Sequence, residues 1–252
     1  MVDKENRKNI IDYMDEVLKN KLKLLRQHLP SMGLKHGFAL LEKTNGDIDA
    51  AENLFKAKML EIIIAKTGIS TDIASRHLQK NNFDIALALE SIDEERYTLT
   101  ERILKKYKDD KREALIRLAD AVSANNNIQR EFWLDFDDLA KQPPEIFCVL
   151  AVVEWLNYES WEDLSSALYF NFDLVIEKIE KELSSAEIAE TLKKAKQIHE
   201  EQYEGQITKL KTEGWMEPTP EFSEQWYMFE RQRPMLIDKL YEFVQRNIDS
   251  FP

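Results

Sequence analysis

A single cysteine, Cys148, stands in a chain of 252 residues, inside the apolar run Phe147-Cys148-Val149-Leu150. One thiol cannot close an intrachain disulfide, so a small disulfide-stapled secreted domain is excluded. The apolar setting reads as an inert buried thiol rather than a nucleophile. Glycine is scarce as well: the chain has 6, about a third of the usual ~7%. That disfavours phosphate-cradling loops and hairpin-rich β folds, and no Gly-x-Ser-x-Gly run is present. Long apolar runs are missing too. Ile62–Ala65 and Ile146–Val153 fall far short of the ~20 residues that cross a bilayer. The opening MVDKENRKNI lacks the apolar stretch of a signal peptide. These absences predict an all-α, cytoplasmic protein with no membrane partner.

Histidine is sparse. His28, His36, His77 and His199 form no His-x-x-x-His or Glu-x-x-His pair, so helical zinc or di-iron binding has no support. The acidic group Glu131, Asp135, Asp137 and Asp138 lies among Phe132, Trp133 and Phe136, without the glycine a tight calcium loop needs. It reads as an exposed acidic face, with a patch for a basic partner as the functional alternative. No cofactor or metal is expected.

What is present is unevenly distributed. Residues 1–122 hold 22 Lys/Arg and 21 Asp/Glu, whereas residues 123–252 hold 13 and 26. All five Trp lie after residue 122. Both shifts predict two domains, 1–122 and 123–252, joined near the polar stretch Ser123–Gln129. The net charge of −12 argues against direct nucleic-acid binding, because the field repels a polyanion. The basic cluster Lys105, Lys106, Lys108, Lys111 and Arg112 is interrupted by Asp109 and Asp110.

The first half repeats itself. Pro30–Phe55 aligns with Thr67–Ile92 without gaps at an offset of 37 residues, placing Leu41 over Leu78, Asp47 over Asp84 and Ala51 over Ala88. That period predicts a small helical unit used in tandem. In the second copy, Ser70 or Thr71 caps one helix, Asn81–Asn82 ends it, and Asp84 caps the next. Ile48–Lys66 contains no breaker and should be one helix shared between the copies. The expected units are ~18–57, ~58–95 and a truncated third over ~96–122, where Ala114 and Leu118 follow Asp110 in the same spacing. Stacked, they would make a short solenoid.

Met32-Gly33-Leu34, Ala39-Leu40-Leu41, Thr44-Asn45-Gly46-Asp47 and Ala51…Leu54-Phe55 resemble the ubiquitin-associated (UBA) three-helix domain. Thr67-Gly68…Leu78…Asn82…Asp84-Ile85…Ala88-Leu89…Ile92 is similar to the related N-terminal module of elongation factor Ts. The resemblance covers residues ~18–95. Leu34 replaces the aromatic usual in ubiquitin binders, and Glu52 replaces an aliphatic residue. The elongation factor's Thr-Asp-Phe-Val signature is absent, so nucleotide exchange is not implied. What the resemblance implies is a partner protein held on Met32, Gly33, Leu34, Leu54 and Phe55, with Ile69 and Ile92 as equivalents in the second unit. The competing reading of the first five is intra-repeat core.

The second half predicts helices at Glu145–Asn157, Ser160–Phe170, Asp173–Leu183, Ala186–Tyr203, Glu221–Arg231 and Pro234–Ile248. Gly205 to Pro220 is expected to break the pattern. Glu154…Asn157, Trp161, Phe170-Asn171 and Trp226-Tyr227…Leu236…Leu240…Phe243-Val244…Phe251 resemble bacterial DNA-mimic-like domains, with Tyr158-Glu159 where a double glycine is usual. The sequence thus predicts a non-catalytic adaptor that holds a partner protein. A first alternative is an acidic nucleic-acid mimic binding a basic protein. A second is a hydrolase built on Glu131, Asp135 and Glu154.

Overall fold

The computed structural model describes residues 16–213 and 217–252. The protein is all-α: among the described residues there are thirteen α-helices, one 3₁₀ turn and no strand beyond an isolated bridge between Arg130 and Leu134. It divides into two compact units, Met1–Arg96 and Tyr97–Pro252.

The first unit holds α1 (residues 16–28), α2 (Leu34–Lys43), α3 (Ile48–Thr67), α4 (Thr71–Lys80) and α5 (Ile85–Arg96). The 37-residue repeat is visible atom by atom. Asn45 and Asn82 end their helices at φ 51° and 52°, and Gly46 and Phe83 follow at 77° and 58°. The Gly46 N–H donates to the Leu41 carbonyl at 2.7 Å, and the Phe83 N–H to the Leu78 carbonyl at 2.7 Å. This six-to-one bond after a left-handed residue is the Schellman stop, which satisfies carbonyls the helix end leaves open. The carboxylates of Asp47 and Asp84 then accept from the N–H groups of Ala50 (3.0 Å) and Leu87 (3.1 Å), starting the next helix. Ala51 and Ala88 are fully buried, as are Leu41 and Leu78. Helix α3 packs against α2, α4 and α5, so it closes one copy and opens the other. It stops at Gly68, which is left-handed at φ 67°.

The second unit holds α6 (Leu99–Lys106), α7 (Lys111–Asn125), α8 (Phe136–Leu139), α9 (Pro144–Trp161), α10 (Leu164–Ala167), α11 (Phe172–Lys181), α12 (Ala186–Glu213) and α13 (Pro220–Arg246), then the 3₁₀ turn Ile248–Ser250. Helix α9 begins at Pro144, where the missing N–H costs nothing. Its apolar residues lie nearly all round, and α7, α8, α10, α11 and α13 surround it. The buried Trp155 donates its indole N–H to the Ala167 carbonyl at 2.8 Å. Helices α12 and α13 run antiparallel, as the pairs Glu187–Gln232, Thr191–Met228 and Gln202–Thr219 require. The main-chain oxygen of Pro252 accepts from both the N–H (2.8 Å) and the hydroxyl (2.7 Å) of Thr100.

Five expectations are corrected. The division falls at Arg96, not at residues 123–129. Helix α7 buries Ala114, Leu115, Leu118, Ala119 and Val122 and packs against α9 and α13, so burial, not the charge shift, sets the boundary. The Asn-rich stretch is a helix exit, one of the two forms its polar composition suits, and not a linker: Asn127 is left-handed at φ 53°, and the Ile128 N–H donates to the Ser123 carbonyl. The truncated third copy therefore lies in the second unit. Asp110 does cap α7 through the Glu113 N–H (3.0 Å), with Ala114 buried four places on. Gly205 does not end α12, and Pro234 does not divide α13. The expected helix Ser160–Phe170 is not formed: α9 runs through Trp161, which is 78% exposed, and α10 covers only Leu164–Ala167.

Candidate partner-binding surfaces

The seven residues singled out in the first unit separate into two sets. Met32, Phe55 and Ile92 are 1%, 3% and 1% exposed and belong to the unit's core. They are removed from the contact set, because an interior side chain cannot meet a partner without unfolding its own unit. Ile69 is half-buried against the same core. Gly33, Leu34 and Leu54 are exposed, the two leucines at 57% and 39%.

Local geometry explains the separation. Gly33 sits in extended backbone just before α2 (φ −69°, ψ 144°), and its carbonyl accepts from the Gly37 N–H at 3.0 Å. Leu34 is the first helical residue, so it projects from the helix mouth. One turn along, Gly37 is buried, and a β-carbon there would lie 2.4 Å from Leu22 Cδ1. The His36 ring lies 5.5 Å from the Phe55 ring, joining the start of α2 to the middle of α3, the two segments that bear Leu34 and Leu54. Glu52 pairs with Lys56 and with His28 at 2.9 Å, and those two partners, Lys56 first, hold its carboxyl below the usual carboxylate range. Leu24, Ile73 and Leu87 are also exposed on this unit and were not singled out in the sequence.

In the second unit the tempting carboxylates have structural employment. Asp135 accepts from the Asp137 N–H at 2.8 Å and caps α8, and Asp138 pairs with Lys141 at 2.6 Å. Glu154 is 1% exposed, accepts from the Leu134 N–H at 2.6 Å and meets Arg130 at 2.9 Å. Burial raises its pKa above the ordinary carboxylate value despite those partners. Glu131 is exposed. Among the described residues no group of three or more His, Cys, Asp or Glu is placed to hold a metal ion. Burial pushes the Cys148 thiol up to about 12, which keeps it protonated and unreactive near neutrality.

Beside the acidic stretch, Trp133 meets Tyr158 and Phe170 edge-on, and Tyr158 stacks on Phe170 at 4.0 Å. Phe132 remains 85% exposed. The histidines are dispersed. His77 is 3% exposed and bonds Ser91 at 2.9 Å, and His199 bonds the Tyr169 hydroxyl at 2.9 Å.

Two comparisons bear on descent. The family model of the YfbN C-terminal domain matches residues 98–249, which is almost the whole of the second unit. Uncharacterized protein YfbN of Escherichia coli (strain K12) is 33% identical over 235 residues, covering 92% of this chain and 95% of that protein. No solved structure matches. A domain match over more than half of the chain and a full-length relative agree, and the chain belongs to the YfbN family.

Proposed function

We propose that the chain is a non-catalytic adaptor that holds a partner protein on its first unit, in the manner of UBA-like repeats. The observation that carries this reading is the exposure of Leu34 and Leu54 on α2 and α3, which the His36–Phe55 ring contact joins. Apolar side chains left out of a packed unit, on two segments fixed to each other, are the raw material of a contact site. The structural employment of Asp135, Glu154 and Cys148 supports a non-catalytic role. The test is affinity capture from lysate by the full chain and by the Leu34→Asp, Leu54→Asp double variant. Both side chains are exposed, so helicity by circular dichroism should be unchanged while the captured set is lost. An unchanged captured set would sink the proposal.

A second reading, acidic mimicry directed at a basic protein, rests on the charge of residues 97–252. They carry 20 Lys/Arg and 31 Asp/Glu, a net of −11.

A further inference from the structure

We propose that a cavity of about 470 Å³ in the second unit, lined by Tyr169, His199, Glu200, Tyr203 and Glu204, binds an organic cation through an alkylammonium or guanidinium group. The inference is independent of the adaptor reading, which concerns the other unit.

The site is built by helical spacing. On α12, His199 and Tyr203 stand four residues apart, as do Glu200 and Glu204, so an aromatic row runs beside a carboxylate row. Tyr169, just after α10, closes the cavity from across. Its hydroxyl lies 2.9 Å from His199 Nδ1, and its ring meets the imidazole edge-on at 5.6 Å. The imidazole rests in turn on the Phe222 ring at 5.2 Å. The floor is therefore fixed, while Tyr169 and Tyr203 stay 53% and 41% exposed and accessible to a ligand.

The chemistry of this lining selects one sign of charge. Among the described residues, no Lys or Arg lines the cavity, and neither Glu200 nor Glu204 has an ion-pair partner. The imidazole does not supply the missing positive charge, since burial holds His199 below the ordinary histidine value. Free carboxylates and the negative faces of phenol rings both attract a cation, and they act together when side by side. An anion would meet only repulsion there. The volume suits a side-chain-sized group or a small amine. The preference for an organic cation over a metal ion follows from the ring faces and from the lack of three converging metal ligands among the described residues.

The experiment uses the full chain and follows the His199 ring resonances by NMR. One arm titrates spermidine. The other titrates a short Lys- and Arg-containing peptide with blocked termini. A saturable shift of His199 with spermidine alone supports the site and identifies a free amine as its source. Saturation by the peptide supports it and identifies a protein side chain. Glu200→Gln with Glu204→Gln should weaken either by at least about tenfold, and Tyr203→Leu should weaken it further, both with unchanged helicity. The proposal is overturned if neither probe saturates, if the variants bind as well as the parent, or if sodium chloride at equal ionic strength reproduces the shift.

Discussion

Glu154 shows how one side chain can oppose its own fold. It accepts the Leu134 N–H and faces Arg130, yet its burial leaves the carboxyl easier to protonate than in the unfolded chain. A raised pKa means proton uptake on folding. Its contribution is full below the unfolded pKa and is lost as pH rises through the folded one. Glu154→Gln should therefore be more favourable relative to the parent at pH 7.5 than at pH 5, by at most about 1.4 kcal/mol for each unit of upward shift. Urea midpoints at both pH values test this, and a constant difference would refute it. Phe83 carries a different cost. It holds the left-handed conformation that Gly46 adopts freely in the other copy. Its ring offsets that cost by packing on the unit's core, with Lys56 5.1 Å above it. Individual side-chain directions were only partly legible in the sequence. Leu54 and Phe55 are adjacent and both apolar, so only one can face inward. The usable signal lay in the other copy, where Ile92 stands for Phe55 and the polar Ser91 for Leu54. Thr71, standing for Leu34, carries the same message, and Leu34 is indeed exposed.

Helices α2 to α4 follow their sequence signals closely, because each ends in a local device: a left-handed asparagine or glycine, then a capping aspartate or serine that starts the next helix. Where the signal was a breaker residue alone, the reading failed. Pro234 lies within α13 and removes the donor that would reach the Glu230 carbonyl. The helix nevertheless continues, because Phe229 and Leu236, on either side of the proline, are both fully buried. Their burial requires a continuous helix more strongly than one proline opposes it. Pro234 itself is exposed, so Pro234→Ala sacrifices little packing and restores the donor. It should stabilise the second unit by up to about 3 kcal/mol, read as a higher urea midpoint with unchanged helical signal. A midpoint that stays put or falls would show that the proline is relieved by a local adjustment. Gly205 in α12 is the milder case, since mid-helix glycine costs only about 1 kcal/mol against alanine.

Charge separates the two units less sharply than the sequence count about residue 122 suggested, because the cations of residues 97–122 fall in the acidic unit. Residues 1–96 carry 15 Lys/Arg and 16 Asp/Glu, a net of −1, so nearly all of the −12 belongs to the second unit. The all-α class and the tandem copies were legible, because scarce glycine and a gap-free 37-residue offset are whole-chain properties. The boundary was not. The basic turn between α6 and α7 disguised two helices whose apolar faces join the acidic unit's core. If the second reading holds, the full chain should be retained on an immobilised basic nucleic-acid-binding protein at about 50 mM salt and released by about 500 mM, as screening shortens the reach of the field. Retention indifferent to salt would remove electrostatics as its cause.

The double hydrogen bond from Thr100 to the oxygen of Pro252 has a consequence for synthesis. The clasp links positions 152 residues apart, near the two ends of one unit. A nascent chain can assemble the first unit once Arg96 has cleared the ribosome. The second must hold its opening helix without that clasp until Pro252 has emerged as well, so its closing contact carries the loop-closure entropy of a long separation.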